Sequence, residues 1–114
     1  MSNEYSFKAL QAAAAATGDG ETLECVDGDG LTLATAVLQV AGTFVGTVTF
    51  EGSVDGSNWI AVQGTNLNSG AAASTATAAG LFRFAVAGLA ALRARVSAYT
   101  SGAITVTACG VTVS

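Results

Sequence analysis

The stretch Gly42-Thr43-Phe44-Val45-Gly46-Thr47-Val48-Thr49-Phe50-Glu51-Gly52-Ser53-Val54-Asp55-Gly56-Ser57-Asn58-Trp59 decides the fold. Its residues alternate, with Phe44, Gly46, Val48 and Phe50 on one side and Val45, Thr47, Thr49 and Glu51 on the other. A two-residue period is the pattern of a strand with one face buried. Asp55-Gly56 then supplies turn chemistry, because glycine tolerates positive φ and an aspartate side chain bonds its own backbone. Strand, tight turn and returning strand follow, with Phe44, Val48, Phe50 and Trp59 as expected core anchors and the indole N–H aimed at a nearby carbonyl.

Outward from this hairpin, glycines and Asp-Gly pairs divide the chain into short runs rich in Val, Thr, Leu and Phe. They predict strands near residues 21–26, 31–41, 43–53, 59–63, 73–78, 81–86, 92–99 and 103–113. The expected fold is all-β, an antiparallel jelly-roll-like β-sandwich of about eight strands. In Arg93–Tyr99 the residues Arg93, Arg95, Ser97 and Tyr99 are expected on one polar face and Ala94, Val96 and Ala98 on the packed one. Thr100-Ser101-Gly102 is read as the turn of a second hairpin, whose returning strand directs Ile104, Val106 and Ala108 to the core.

The sandwich is expected over residues 18–114, preceded by an N-terminal arm or short helix over residues 1–17. Ser6–Thr17 is Ala-rich and has high helix propensity, yet a dozen residues make a marginal helix in water. One or two helical turns, or an extended arm ordered against a neighbouring subunit, are the two readings.

At 114 residues the chain fits one domain. It is 51% hydrophobic and 11% charged, the composition of a folded chain. Much of the apolar share is Ala and Val, which bury little area each, a hint of oligomerisation. The net charge is −4, and Lys8, Arg83, Arg93 and Arg95 are the only cationic side chains, so no basic stripe awaits nucleic acid. No apolar run reaches the length of a membrane span and no secretory signal opens the chain, so no membrane partner is expected and synthesis in the cytoplasm is. The chain has no proline, which leaves its sheet edges without one common guard against pairing.

Catalytic groups are not evident. There is no histidine and no Gly-x-Ser-x-Gly elbow, so a Ser or Cys nucleophile lacks a base, and no enzyme activity and no cofactor is expected. Glu51 and Asp55 are read as surface turn residues rather than an acid–base pair. Asp19 to Glu24 with Asp27-Gly28-Asp29-Gly30 is acidic but lacks the spacing of a calcium loop, and is read as turn chemistry with no metal. Cys25 and Cys109 lack metal or redox spacing and are expected as buried free thiols, a disulfide between the first and last strands being the alternative. Arg83, Arg93 and Arg95, suited to bidentate pairing with a neighbour's carboxylates, and Phe7 and Leu10 of the arm are the candidate interface residues.

The stretch 42–59, together with Gly80-Leu81-Phe82-Arg83-Phe84-Ala85-Val86-Ala87-Gly88-Leu89 and the run from Leu92 to Gly102, resembles small structural proteins of the virion gene blocks of tailed bacteriophages and prophages. The similarity spans roughly the last three quarters of the chain, and its motifs are structural. It implies a virion component, a capsid decoration or cement protein bound to the major capsid protein and to copies of itself, commonly as a homotrimer. A tail or fibre-associated β-sandwich is the alternative it leaves open. Ser53-Val54-Asp55-Gly56-Ser57-Asn58-Trp59 also looks like a turn of galactose-binding-like modules, so a glycan-binding, receptor-recognising role is a third expectation.

Overall fold

The computed structural model describes residues 5–26 and 32–111. In chain order the strands are β1 (Tyr5–Ala14), β2 (Thr22–Glu24), β3 (Thr35–Ala41), β4 (Phe44–Ser53), β5 (Ile60–Ala61), β6 (Gly64–Asn66), β7 (Ala72–Ala73), β8 (Thr75–Ala76), β9 (Gly80–Ala85), β10 (Ala91–Gly102) and β11 (Ile104–Val111). They form two antiparallel sheets. Sheet A has the order β1-β11-β3-β9-β6-β7, and sheet B the order β2-β10-β4-β5 with β8 also on β4.

The pairings identify a jelly roll. β1 pairs β11, β2 pairs β10, β3 pairs β9, and β4 pairs β5 and β8, so the first half of the chain meets the second half in reverse order. That is one long antiparallel double strand, rolled until β11 also meets β3 and β10 meets β4. The β6–β7 pair extends sheet A beyond β9. Gly64 makes this extension possible, because a Cβ there would sit 2.6 Å from the Phe84 ring.

Between the sheets lies one core. Phe50 on β4 meets Phe82 and Phe84 on β9 with ring centroids 5.0 and 4.9 Å apart, tilted and edge-on, which locks the two layers together. Val48, Leu38, Leu92, Ile104, Val106 and Ala108 are fully buried around them. The alternation read in β4, and the inward set expected of β11, are the observed ones, and Phe44 packs at the core's margin.

Four expectations are corrected. Residues 5–14 form a strand, and no helix is present among the described residues. Helix propensity loses because β11 offers an open edge, and pairing from Tyr5↔Val111 to Ala14↔Ile104 satisfies the β1 backbone. Register shifts within β1 turn Leu10 and Gln11 inward together, and the Gln11 amide donates to the Ala94 carbonyl at 2.9 Å and the Gly18 carbonyl at 3.2 Å. The segment is therefore built into the sandwich and tied across to sheet B, rather than being an arm.

Secondly, Thr100-Ser101-Gly102 is not a hairpin turn: β10 lies in sheet B and β11 in sheet A, so the chain rounds a corner there. Gly102, at φ 92°, packs against the Thr43 carbonyl at this corner, where a Cβ has no room. Thirdly, a bulge between Val96 and Ala98 leaves Ser97 extra, so Ala98 turns outward opposite Thr47 and Tyr99 turns in against the core. Lastly, the run expected as one strand over 73–78 is two short strands in different sheets, with β6 an additional strand before them.

Candidate functional site

The outer face of sheet B holds most of the charge chemistry. Arg93 lies directly opposite Glu51 in the β10–β4 register, and Arg95 lies diagonally from it. Glu51 accepts the Nε–H of Arg93 at 2.8 Å and that of Arg95 at 3.2 Å, while Arg93 also reaches Asp19 at 3.5 Å. The Arg93 guanidinium stacks 4.2 Å from the centroid of the Trp59 ring. Trp59 is thus a half-buried outer residue, contrary to its expected role as a core anchor, and Glu51 is a buried hub rather than a surface turn residue. Thr49 and Ser97 continue the row with a 2.8 Å hydroxyl pair.

The turn beyond β4 is self-contained. The Asp55 carboxylate accepts the backbone N–H groups of Asn58 and Ser57, the Asn58 side-chain amide and the Ser53 hydroxyl, at 2.7–2.8 Å. The Asn58 N–H first, then that of Ser57 and the two side chains, hold its carboxyl well below the usual carboxylate range. In the same hairpin, Val54 and Ile60 stand 75% and 70% exposed. Nothing in the composition marks them, since each is an ordinary apolar residue of a hairpin.

The outer face of sheet A is of another kind. Phe7, Cys109, Val37, Arg83 and Thr65 form one row across it, and Ala9, Thr107, Gln39 and Leu81 the next. Phe7 is 69% exposed. The Arg83 side chain has no hydrogen bond or ion pair among the described residues. The strands of sheet A carry Lys8 and Arg83 and no acid. All five carboxylates of the described residues, Asp19, Glu21, Glu24, Glu51 and Asp55, lie on sheet B or in the segments beside it.

The candidate interface residues are thereby divided. Phe7 and Arg83 share the outer face of sheet A, Arg93 and Arg95 are engaged with the chain's own Glu51, and Leu10, 1% exposed, is core. The last is a correction, since a residue buried in its own sandwich meets no neighbour. Both cysteines are free: Cys25 is buried, its thiol pushed up to about 11 by desolvation and then by Glu24, and Cys109 is half-buried on the outer face of sheet A, not in the core as expected.

A cleft of about 310 Å³ between Gln39, Asn68 and Leu81, and a neighbouring one of about 190 Å³ beside Phe82, are lined by no titratable group. No cluster able to hold a metal occurs among the described residues, and Asp27 to Gly30 lie outside them. No helix among the described residues is long and apolar enough to cross a membrane.

No protein-family model matches the chain, and no curated protein matches it by sequence. Solved structures do match in fold. The SPBc2 prophage-derived protein YomS is similar with a TM-score of 0.85 and 18% identity, over 98% of this chain and 96% of that one. The PBSX exported protein XepA is similar with a TM-score of 0.88 and 20% identity, again over 98% of this chain. This chain spans only 39% of XepA's length.

Proposed function

We propose that this chain is a structural protein of a tailed-phage virion, a decoration or cement protein that binds the assembled head. Its partners are the major capsid protein and copies of itself, as a homotrimer, and it works by contact area rather than by catalysis. The observation that carries this reading is the outer face of sheet A, free of acids among the described residues and built mostly from Thr, Ala, Val and Cys, with Phe7, Gln39 and Leu81, around one exposed arginine. Such small side chains lose little rotamer freedom when covered. The whole-length likeness to a prophage-derived protein supports the phage setting. A protein that binds only the assembled shell stabilises it by mass action, about 2.7 kcal/mol per site at a free concentration one hundred times Kd.

The test is fractionation of phage particles followed by heating of heads with and without the protein. Co-sedimentation with heads and a raised dissociation temperature are expected; recovery with tails, or free of particles, overturns the head assignment. A second reading, a tail-associated or exported module, is favoured by one observation: the same fold occupies 39% of a longer chain whose name includes the word exported. Glycan binding through Trp59 has less support, since Arg93 already covers a face of that ring.

A further inference from the structure

The charges of the molecule are unevenly placed. Among the described residues, sheet A presents cations without acids, while sheet B and its flanking segments carry five carboxylates against two guanidiniums. Both guanidiniums are paired with Glu51 inside the chain. Arg83 is left as an exposed cation with no carboxylate of its own sheet near it in register, its cross-strand neighbours being Val37 and Thr65. Leu81, two residues along β9 on the same face, is 39% exposed.

The β4–β5 turn is the complementary object. Asp55 Oδ1 is saturated by the Ser53 hydroxyl and the N–H groups of Ser57 and Asn58. Oδ2 accepts only the Asn58 side-chain amide at 2.7 Å, so it keeps acceptor capacity for a further donor. Val54, next to Asp55 in the chain, and Ile60, opposite Gly52 at the start of β5, are exposed apolar groups of the same hairpin. An exposed acid and two exposed aliphatic side chains on one hairpin match one arginine among Leu81, Val37 and Thr65 in charge and in polarity.

We propose that copies of this chain associate head to tail, the β4–β5 turn of one copy seated on the outer face of sheet A of the next, with Asp55 meeting Arg83 and Val54 and Ile60 covering Leu81 and Val37. A face-to-face arrangement of two sheet A surfaces does not offer this, since the described residues of neither face include an acid for Arg83. The contact is heterologous, so each copy uses two different surfaces and successive copies close a ring or extend. A turn of this size covers less than the roughly 800 Å² a side of a standard interface, so association depends on concentration. This deepens the self-association part of the reading above and rests on that part alone; an assay on purified protein leaves head binding to be judged separately.

The experiment is sedimentation velocity of the purified full chain over a concentration series, for wild type, Arg83→Glu, Ile60→Asp, and the two variants mixed. Circular dichroism and the thermal midpoint of each variant establish that it is folded; Val54→Asp and Arg83→Ala stand in for either variant that is not. Wild type is expected to associate, and each variant alone to associate about tenfold more weakly or worse. The mixture is expected to form a pair and nothing larger, because only the intact turn of Arg83→Glu and the intact face of Ile60→Asp remain to meet. A wild type that stays monomeric throughout, single variants with wild-type mass, or a mixture that stays monomeric would each overturn the proposal.

Discussion

The two outer faces of the sandwich differ in where their charges go. On sheet B, Glu51 binds Arg93 and Arg95, Trp59 stacks on Arg93, and the face is closed upon itself. On sheet A, Arg83 projects from a nearly neutral surface of mostly small side chains and meets no carboxylate among the described residues. Three arginines that look equivalent in sequence therefore have two settings: two are paired inside the fold, and one is exposed with no ion-pair partner among the described residues. Cross-strand register makes the difference, because Glu51 falls opposite Arg93 whereas Val37 and Thr65 flank Arg83.

Breaking the closed face should cost the most. Glu51→Gln removes the hub and leaves two guanidiniums side by side, one of them 15% exposed. Discounted for the greater exposure of Arg95, the loss is about 2–3 kcal/mol, read by denaturant unfolding, with self-association unchanged. The double change Arg93→Ala and Arg95→Ala should lower stability by about 1–2 kcal/mol, since Glu51 loses both guanidinium donors and water, admitted by the two truncations, replaces them. Loss of association at full stability in this variant would move the contact surface to sheet B.

The Asp55 turn sharpens the comparison through pH. Its carboxyl is held below the ordinary range in the folded chain, so the unfolded chain takes up the proton first as pH falls. The stability it contributes is complete above about pH 4 and declines as the pH drops below that. Asp55→Asn should be less stable than wild type at neutral pH, with a gap that narrows in acid; a gap independent of pH contradicts the assignment. Smallest of all, Arg83→Ala should change stability by less than about 0.5 kcal/mol, because its side chain has no hydrogen bond or ion pair among the described residues.

How much of this was legible in the sequence depended on whether the cue was local. The alternation of Phe44 to Glu51 and the Asp55-Gly56 turn are local, and both read correctly. The strand β1 was hidden because its Ala-rich composition states a helical preference, whereas its fate is set by the open edge of β11 a hundred residues away. The corner at Gly102 carries the same residues as a hairpin turn, and only the rolling of the double strand sends β10 and β11 to different sheets. One extra residue at Ser97 reversed the faces of Ala98 and Tyr99, a shift no periodicity announces. The candidate site followed the same division: Arg83 and Phe7 were visible as residue types, but the capture of Arg93 and Arg95 by Glu51 required the register.

The two thiols provide the most direct test of the contact face. Cys109 lies on the outer face of sheet A in the row of Val37 and Arg83, while Cys25 is buried with its thiol pushed up to about 11. Below pH 9 Cys25 stays protonated and enclosed, and serves as an internal control for unfolding. The measurement is the alkylation rate of each thiol at pH 8, in dilute protein and in concentrated or head-bound protein. Cys109 should react in dilute solution and slow severalfold when sheet A is covered, with Cys25 unreactive throughout. An equal Cys109 rate in protein shown by sedimentation to be associated or bound would contradict the assignment of sheet A as the contact face.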